Sequence, residues 1–395
     1  MTAYYASPLN RAPEVRREMD LPPAVQINDV TLREGEQGFD VVLSVDEKVA
    51  LARRLAEMGV RQIEVGWPGR SAEDREVIGR IRDAGVAVVI QSPVQIYAAD
   101  WRAQVDAAVG CGVGVVALLH PVSDMRLERL ERTTRAAVVR LVREAVAYAK
   151  AQGAQVAMCP TDATRADLRF LAEVAAAAVE VGADRVVLPD TVGAALPAAV
   201  RRMVKTVRLA VSVPVHIHCH DDYGLALANT LAGIEAGASL ADASVNGLGE
   251  RAGNCALDEL AVALEVLYGI PTGIQLPALT ALCREVAARV GVPLSPHKAL
   301  VGEVAFAHRL DVHLEGLRVY PPLFETIAPE AVGNARRVVL GPRAGPALVE
   351  ARLRELGLTV ERAKLPGLVA RVRDEARARG GPLDDETLRR LAEVS

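Results

Sequence analysis

The sequence predicts an α/β protein, a (β/α)8 TIM barrel followed by a mostly helical C-terminal lid subdomain. Between residues 25 and 260, eight short runs rich in β-branched residues alternate with helical patterns, and a glycine follows most of the helical segments. The competing architecture is a doubly wound open sheet. No Gly-x-Gly-x-x-Gly follows the first predicted strand, so the closed barrel is favoured.

The individual elements follow from this repeat. Glycine is the residue that most readily takes the left-handed conformation at a helix C-terminus, and the glycines in that place are Gly59, Gly85, Gly112, Gly153, Gly182 and Gly237. The apolar run after each helix is then the next strand. The predicted strands cover residues 25–29, 62–65, 87–90, 113–119, 155–159, 185–188, 215–218 and 243–245.

Three domains are predicted: an N-terminal extension (residues 1–24), the barrel (25–275) and the C-terminal lid and helical subdomain (276–395). Residues 276–290 have a helical pattern, whereas residues 302–345 have no clear period and are interpreted as an ordered lid. Two or three charged amphipathic helices are expected after Pro346.

Composition excludes several classes of function. With 51% hydrophobic residues, 24% charged residues and a formal net charge of −4, the chain is typical of a soluble globular enzyme without a basic surface for nucleic acid. No apolar run approaches the roughly 20 residues that a membrane span needs. The five cysteines are scattered and odd in number, which is typical of reduced thiols. We therefore expect a cytoplasmic protein with no nucleic acid and no membrane as partner.

The most informative stretch is residues 215–222, which has histidine at every second position and ends on two aspartates. In a strand, His216, His218 and His220 share one face. Histidine is the commonest metal ligand, so two imidazoles at the end of a strand make half of a metal site. The alternative is an ordinary buried or surface histidine run, and a carboxylate partner elsewhere in the chain decides between the two.

Glu34 is the leading candidate for that carboxylate, with Asp29 as the alternative, because both lie at the end of the first predicted strand. In a closed barrel only strand eight separates strand one from strand seven, so ligands from their ends can meet. The amide oxygen of Asn254 is a further candidate. This ligand set suits Mg, Mn, Zn or Fe(II) with open positions, and because iron oxygenases also use it, the ligands alone name no reaction.

Four motifs resemble those of the alpha-isopropylmalate/homocitrate synthase family, the acyl-CoA-condensing metal enzymes. They are Thr-Leu-Arg-Glu-Gly-Glu-Gln at 31–37, His-Cys-His-Asp-Asp-Tyr-Gly at 218–224, Asn-Gly-Leu-Gly-Glu-Arg-Ala-Gly-Asn at 246–254 and Gly-Glu-Val-Ala-Phe-Ala-His at 302–308. The resemblance covers residues 27–345 and is closest to nitrogen-fixation-type homocitrate synthase. Such enzymes condense acetyl-CoA, as co-substrate, with a 2-oxo acid in a metal-dependent Claisen-type reaction.

The resemblance implies that Glu34, His218 and His220 bind a divalent metal (Mg, Mn or Zn), with Asn254 in or near its coordination sphere. The metal would chelate the keto oxygen and carboxylate of the 2-oxo acid and polarise the carbonyl. Arg33 would stabilise the alkoxide that develops on the keto oxygen.

The resemblance also implies roles for residues that bind substrate or move protons. His313 resembles the histidine that helps to remove a proton from the acetyl-CoA methyl group, and it would come from the neighbouring subunit of a homodimer. Glu36 is expected to be a further catalytic residue. The expected substrate contacts are Gln37, Thr191 and Asp29, and Thr191 would bind the carboxylate of the oxo acid. Alternatively, Glu36 and Asp29 orient Arg33 or the metal ligands.

Several residues depart from the family pattern where substrate is recognised. Phe324 stands where a lid tyrosine is common. Ala157 and Cys159 stand where lysine-pathway homocitrate synthases bind the distal carboxylate of 2-oxoglutarate with arginine and serine, and Thr161 replaces a usual glutamate. A homocitrate-synthase-like acyltransferase with 2-oxoglutarate as acceptor is the expected function. The alternatives are a 2-isopropylmalate, citramalate or phosphonomethylmalate synthase, a hydroxyacyl-CoA lyase, and a barrel that has lost catalysis.

Overall fold

A computed structural model of the chain describes residues 4–394, and its central feature is a closed barrel of eight parallel strands. The strands pair in chain order, and β1 closes the ring by pairing with β8. The predicted TIM barrel is therefore confirmed. The strands are β1 Gln26–Asp29, β2 Gln62–Glu64, β3 Val89–Gln95, β4 Val115–Pro121, β5 Gln155–Thr161, β6 Arg185–Asp190, β7 Val215–Cys219 and β8 Leu240–Ala243.

Helices connect successive strands, and capping residues and glycines set their ends. Ahead of α2, the N–H of Ser44 donates to the Glu47 carboxylate at 2.8 Å while the Ser44 hydroxyl accepts from the Glu47 N–H. The six predicted helix-ending glycines all have positive φ, and at Gly59 a Cβ would also collide with the carbonyl oxygen of Gly273. The helices up to residue 290 are α1 Pro13–Arg16, α2 Val45–Glu57, α3 Ala72–Asp83, α4 Trp101–Gly110, α5 Asp124–Arg126, α6 Arg135–Ala151, α7 Leu168–Glu180, α8 Pro197–Arg208, α9 Ala226–Glu235, α10 Leu257–Val262 and α11 Leu279–Val290.

The eighth strand lies earlier than predicted, at Leu240–Ala243 instead of 243–245. After Ala243 the chain leaves the barrel sheet, because the Ser244 N–H donates to the carbonyl of Cys255 at 3.0 Å and residues Val245–Gly247 form a 3-10 turn. The strand is rich in alanine and has no β-branched residue, so the pattern that marks the other strands is missing. The correction places Asp242 on the strand.

Buried polar side chains occupy part of the barrel interior. Gln62 donates to Asn28 at 2.9 Å and to Gln91 at 3.1 Å, and Arg185 donates to both glutamines at 3.0 and 2.6 Å. Asn28 donates in turn to Asp242 at 2.6 Å. All five side chains are buried, so these bonds replace those that water would make. The network links strands on opposite sides of the barrel.

The chain divides into a barrel unit (residues 8–276 and 281–293) and a C-terminal unit (4–7, 277–280 and 294–394). The C-terminal unit contains a parallel pair of short strands and a core of buried aliphatic side chains that includes Leu348 and Leu368. Its helices confirm the helical pattern predicted after Pro346, while the domain boundaries at 24 and 275 stay predictions. The elements are β9 Ala307–His308, β10 Arg337–Val338, α12 Asp311–Val319, α13 Pro346–Glu355, α14 Leu365–Arg379 and α15 Asp385–Glu393.

Within residues 4–394 no disulfide joins any of the five cysteines, and all except Cys111 are buried. Between residues 4 and 394, no helix combines the length and the apolar character that crossing a membrane requires.

Candidate functional site

Glu34, His218 and His220 form a buried cluster at the C-terminal ends of β1 and β7. One ligand atom from each residue lies within 4.8 Å of those from the other two, and the Nε2 atoms of the imidazoles are 3.1 Å apart. His218 is on β7 and His220 directly follows it, so their two-residue spacing brings both rings to one side. Glu34 joins them because the loop after β1 turns back, with the Glu34 N–H donating to the carbonyl of Val30 at 2.8 Å.

The donor atoms of this cluster fit a divalent cation. Oε2 of Glu34 and Oδ1 of Asn254 are buried and have no hydrogen-bond donor within the part of the chain that the structure describes. A β-bridge holds Asn254 beside His220. Because a buried oxygen without a partner costs free energy, these atoms favour a bound cation. A carboxylate, two imidazoles and an amide oxygen suit a divalent metal with open positions for substrate.

The electrostatic surroundings favour the metal-binding forms of Glu34 and His220. Burial raises the pKa of Glu34, but the Arg33 guanidinium and then the two imidazoles outweigh it, so the pKa lies below its ordinary value. Burial, followed by the charge of His218, lowers the pKa of His220 to about 3. At neutral pH Glu34 is therefore a carboxylate and His220 a neutral imidazole, and these are the forms that bind metals.

Asp242 orients His218 within the cluster. Its Oδ2 accepts from Nδ1 of His218 at 2.9 Å, while its Oδ1 lies 2.8 Å from Nε2 of His216 and accepts from Asn28. Burial alone would raise the pKa of Asp242, but the two histidines hold it well below its usual range. With the proton of His218 on Nδ1, its Nε2 keeps a lone pair for a metal. His216 is fully buried.

Asp242→Asn is expected to weaken divalent-metal binding by about 10- to 100-fold, because the amide lacks the charge that makes His218 a stronger ligand. Calorimetric titration of metal into the wild-type and variant proteins measures the affinity. Asp40→Asn, at an exposed loop position, is the matched control and should bind like wild type. If a natively folded Asp242→Asn protein bound metal as tightly as the wild type, Asp242 would have no role in metal binding.

Arg33 lies beside the cluster between two carboxylates. Its guanidinium contacts both Glu34 and Glu64, the last residue of β2. Gln91 donates to the second oxygen of Glu64, which connects this pair to the polar network of the barrel interior. Burial would lower the pKa of Arg33, but the two carboxylates raise it above its ordinary value. A permanently charged donor in this place can stabilise negative charge on a substrate oxygen.

Two predicted substrate contacts, Thr191 and Asp29, have different surroundings. Thr191 lines the pocket around the cluster, where its hydroxyl accepts from the N–H of Asp162 at 2.8 Å. Asp29 is fully buried, and both of its carboxylate oxygens accept from Thr31 at 3.0 Å. Burial raises the pKa of Asp29 to about 7. These contacts fit the alternative in which Asp29 supports the loop that carries Glu34.

Glu36 and Gln37 lie in the 3-10 turn Gly35–Gln37 and are not among the residues that line the pocket. Glu36 pairs with Lys48 at 2.8 Å, and burial raises its pKa, while Gln37 is exposed. His313 lies on α12 of the C-terminal unit, where its half-buried ring packs against Phe324 with a centroid distance of 4.5 Å.

The cluster borders a small cavity of about 120 Å³, to which all eight barrel strands or the loops after them contribute. Its position agrees with the rule that the chemistry of such barrels lies at the C-terminal ends of the strands. The lining residues are Arg33, Glu34, Glu64, Gln91, Pro93, Ala117, Leu119, Cys159, Thr161, Val187, Pro189, Thr191, His218, His220, Asp242 and Glu250.

Glu64, Gln91 and Asp242 were not among the predicted site residues. Glu64 lies within the predicted strand 62–65 and Gln91 directly follows the predicted strand 87–90, so the rule that barrel chemistry lies at the C-terminal strand ends was a signal for both. The signal for Asp242 was an ionisable residue between Ala241 and Ala243, but it was hidden because the eighth strand was placed too late.

A (β/α)8 barrel with a buried carboxylate and imidazole cluster at its strand ends defines a class of TIM-barrel enzymes with a candidate divalent-metal site. Sequence comparison narrows this class. The HMGL-like family model matches residues 24–286, and the model for homocitrate synthase post-HMGL domain-like segments matches residues 300–380. The chain therefore belongs to the HMGL-like family.

Three relatives are named as synthases of different products. The homocitrate synthase AksA of Methanopyrus kandleri is 41% identical over 360 residues, 91% of this chain and 90% of that protein. A Methanosphaerula palustris protein assigned as an (R)-citramalate synthase is 45% identical over 345 residues, 87% of this chain and 68% of that protein. 2-Isopropylmalate synthase 2 of Caldanaerobacter subterraneus is 38% identical over 371 residues, 93% and 95% of the two chains. The chain is accordingly an acyltransferase-type enzyme.

Among solved structures, hydroxymethylglutaryl-CoA lyase from Pseudomonas aeruginosa superposes with a TM-score of 0.59 and 28% identity. The match covers 69% of this chain and 95% of the lyase.

Proposed function

We propose that the chain condenses acetyl-CoA with a 2-oxo acid in a metal-dependent Claisen-type reaction. The observation that carries the proposal is the convergence of Glu34, His218 and His220 beside the charged Arg33 in one small pocket. Membership of a family whose relatives are named homocitrate, citramalate and isopropylmalate synthases supports the same chemistry here.

A divalent ion (Mg, Mn or Zn) held by Glu34, His218 and His220 would supply Lewis-acid polarisation of the keto carbonyl. The buried amide oxygen of Asn254 extends this ligand set. Arg33, oriented by its contacts with Glu34 and Glu64, donates to the keto oxygen as it becomes an alkoxide. Thr191 lines the same pocket, and its hydroxyl group donates a hydrogen bond to the carboxylate of the acid.

Carbon–carbon bond formation requires that a proton leave the methyl group of acetyl-CoA, and we propose that His313 takes part in removing it. The enolate carbon then bonds to the keto carbon, and the keto oxygen takes up a proton. Water cleaves the thioester and releases CoA as a thiol, which makes the overall reaction favourable. His313 would act from the neighbouring subunit of a homodimer, with Glu36 supporting the Glu34 loop through Lys48.

The sequence motifs make 2-oxoglutarate the default acceptor and homocitrate synthase the default activity, with other 2-oxo acids as alternatives. A second candidate function, cleavage of a hydroxyacyl-CoA, is supported by the likeness to the Pseudomonas aeruginosa lyase. The scattered cysteines, none of which is in a disulfide within the described residues, support the proposed cytoplasmic location.

Thiol release from acetyl-CoA tests the proposal. Protein loaded with Mg, Mn or Zn is mixed with acetyl-CoA and one 2-oxo acid at a time. We expect thiol release that depends on the acid, stops when a chelator is added and returns with metal. Release of CoA from a hydroxyacyl-CoA without any oxo acid would support the lyase instead. Absence of acid-dependent release with every acid and metal contradicts the proposed condensation.

A further inference from the structure

We infer that the acceptor is not the default 2-oxoglutarate but a 2-oxo acid with a short, uncharged, apolar tail, and this inference rests on the proposed condensation. The tail must lie along the cavity wall that the metal cluster and Arg33 do not occupy. Apolar side chains are the majority there, namely Pro93, Ala117, Leu119, Cys159, Val187 and Pro189, and the polar residues beside them include Gln91, Thr161, Thr191 and Glu250. A wall of this kind binds aliphatic groups through burial of apolar surface.

Among the described residues that line the cavity, none offers a free cation to a second carboxylate or a phosphonate. Among its lining residues Arg33 is the one permanent cation, and Glu34 and Glu64 already neutralise it. The nearby Arg251 does not line the cavity and is paired with Asp222 and Glu250. A carboxylate placed in such an environment loses its hydration and forms no ion pair that would compensate for the loss.

The charge already present in the cavity opposes a second anion as well. The lining residues include one guanidinium and four carboxylates, so their net charge does not become positive even when a divalent ion is bound. Cys159 cannot serve as a cationic contact, because a thiol is neutral when protonated and negative when deprotonated, and burial, which raises the pKa of this thiol, keeps it in the neutral form. Thr161 offers a neutral hydroxyl. The acid therefore finds one anion-binding region, at the metal cluster.

The size of the cavity limits the tail further. Its volume is about 120 Å³, below the several hundred cubic ångströms that enclose drug-sized ligands. Strands and not loops carry most of the wall: Leu119 on β4 pairs in register with Cys159 on β5, and Ala117 with Ala157. Because paired strands resist displacement, the wall cannot readily open to admit a longer or hydrated tail.

Steady-state kinetics with a panel of acids tests the inference. We expect kcat/KM for at least one of pyruvate, 2-oxobutyrate and 3-methyl-2-oxobutanoate to exceed that for 2-oxoglutarate by about 100-fold or more. The reason is that the second carboxylate of 2-oxoglutarate would be buried without a partner. A value for 2-oxoglutarate equal to or above all three overturns the inference and leaves the condensation intact.

Binding measurements keep the inference testable if no acid turns over. Calorimetry on the metal-loaded protein then compares pyruvate, 3-methyl-2-oxobutanoate and 2-oxoglutarate as ligands. Tighter binding of a monocarboxylate supports the inference even though the condensation has failed. Equal or tighter binding of 2-oxoglutarate overturns it.

A cation inserted into the wall should reverse the selectivity. Cys159→Arg is expected to raise the ratio of kcat/KM for 2-oxoglutarate to that for the best monocarboxylate by at least about 10-fold. Cys159→Met is the control, because it adds bulk without charge and should not favour 2-oxoglutarate. Circular dichroism verifies that both variants are folded. An unchanged ratio in a folded Cys159→Arg protein counts against the inference, and if that variant does not fold, the wild-type measurements decide.

Discussion

Replacing His220 with alanine is expected to lower kcat/KM for acid-dependent thiol release by about 1,000-fold or more and to abolish stoichiometric binding of a divalent metal. His220 supplies one of three ligand atoms that lie within 4.8 Å of one another, so two protein ligands would remain. Lewis-acid activation by a metal is worth several kcal/mol, and each factor of ten in rate corresponds to about 1.4 kcal/mol.

Metal content after equilibrium dialysis and thiol-release kinetics measure the two effects of this substitution separately. His297→Ala is the matched control, because His297 is exposed in the C-terminal unit and should affect neither quantity. Full metal occupancy together with wild-type activity in His220→Ala would show that the cluster is not the metal site.

Arg33→Gln is expected to lower kcat by about 100- to 1,000-fold, because it removes the charged donor from the developing alkoxide. It should also lower the free energy of unfolding by about 3 kcal/mol, since Glu64 would be left as a buried carboxylate without its cation. Arg70→Gln is a close control, because Arg33 and Arg70 lie at similar distances from the Trp67 ring, 5.9 and 5.8 Å, and Arg70 is not a cavity residue.

A double variant separates the two roles of Arg33. Arg33→Gln combined with Glu64→Gln removes both buried charges, so the free energy of unfolding should recover most of its loss while kcat stays low. Chemical denaturation and steady-state kinetics provide the two readouts. If the double variant regained activity together with stability, Arg33 would be a structural residue and not a catalytic one.

The residues predicted most reliably were those set by local spacing. His218 lies on β7 and His220 directly follows that strand, so the two-residue spacing of an extended chain places both rings on one side. Glu34 followed from barrel topology, because closing eight strands leaves only β8 between β1 and β7. The six glycines that end helices were also predictable, since the left-handed conformation selects glycine almost independently of what surrounds it.

Residues whose roles depend on a distant partner could not be predicted in this way. Asp242 reaches His218 because β8 pairs with β7 in a register that sets Leu240 opposite His216 and Ala241 opposite Ile217. Glu64 holds Arg33 across neighbouring strand ends. None of these pairings has a periodic signature, because each is selected by packing between separate segments.

Periodicity and spacing were therefore enough for the eight-stranded barrel and for the three side chains that converge at its C-terminal rim, since both depend on short-range geometry repeated along the chain. The tertiary structure alone decided which carboxylates orient His218 and Arg33, and which side chains face the remaining wall of the cavity. Those features depend on strand register and burial, because contacts between residues far apart in the chain exist only once the barrel has closed.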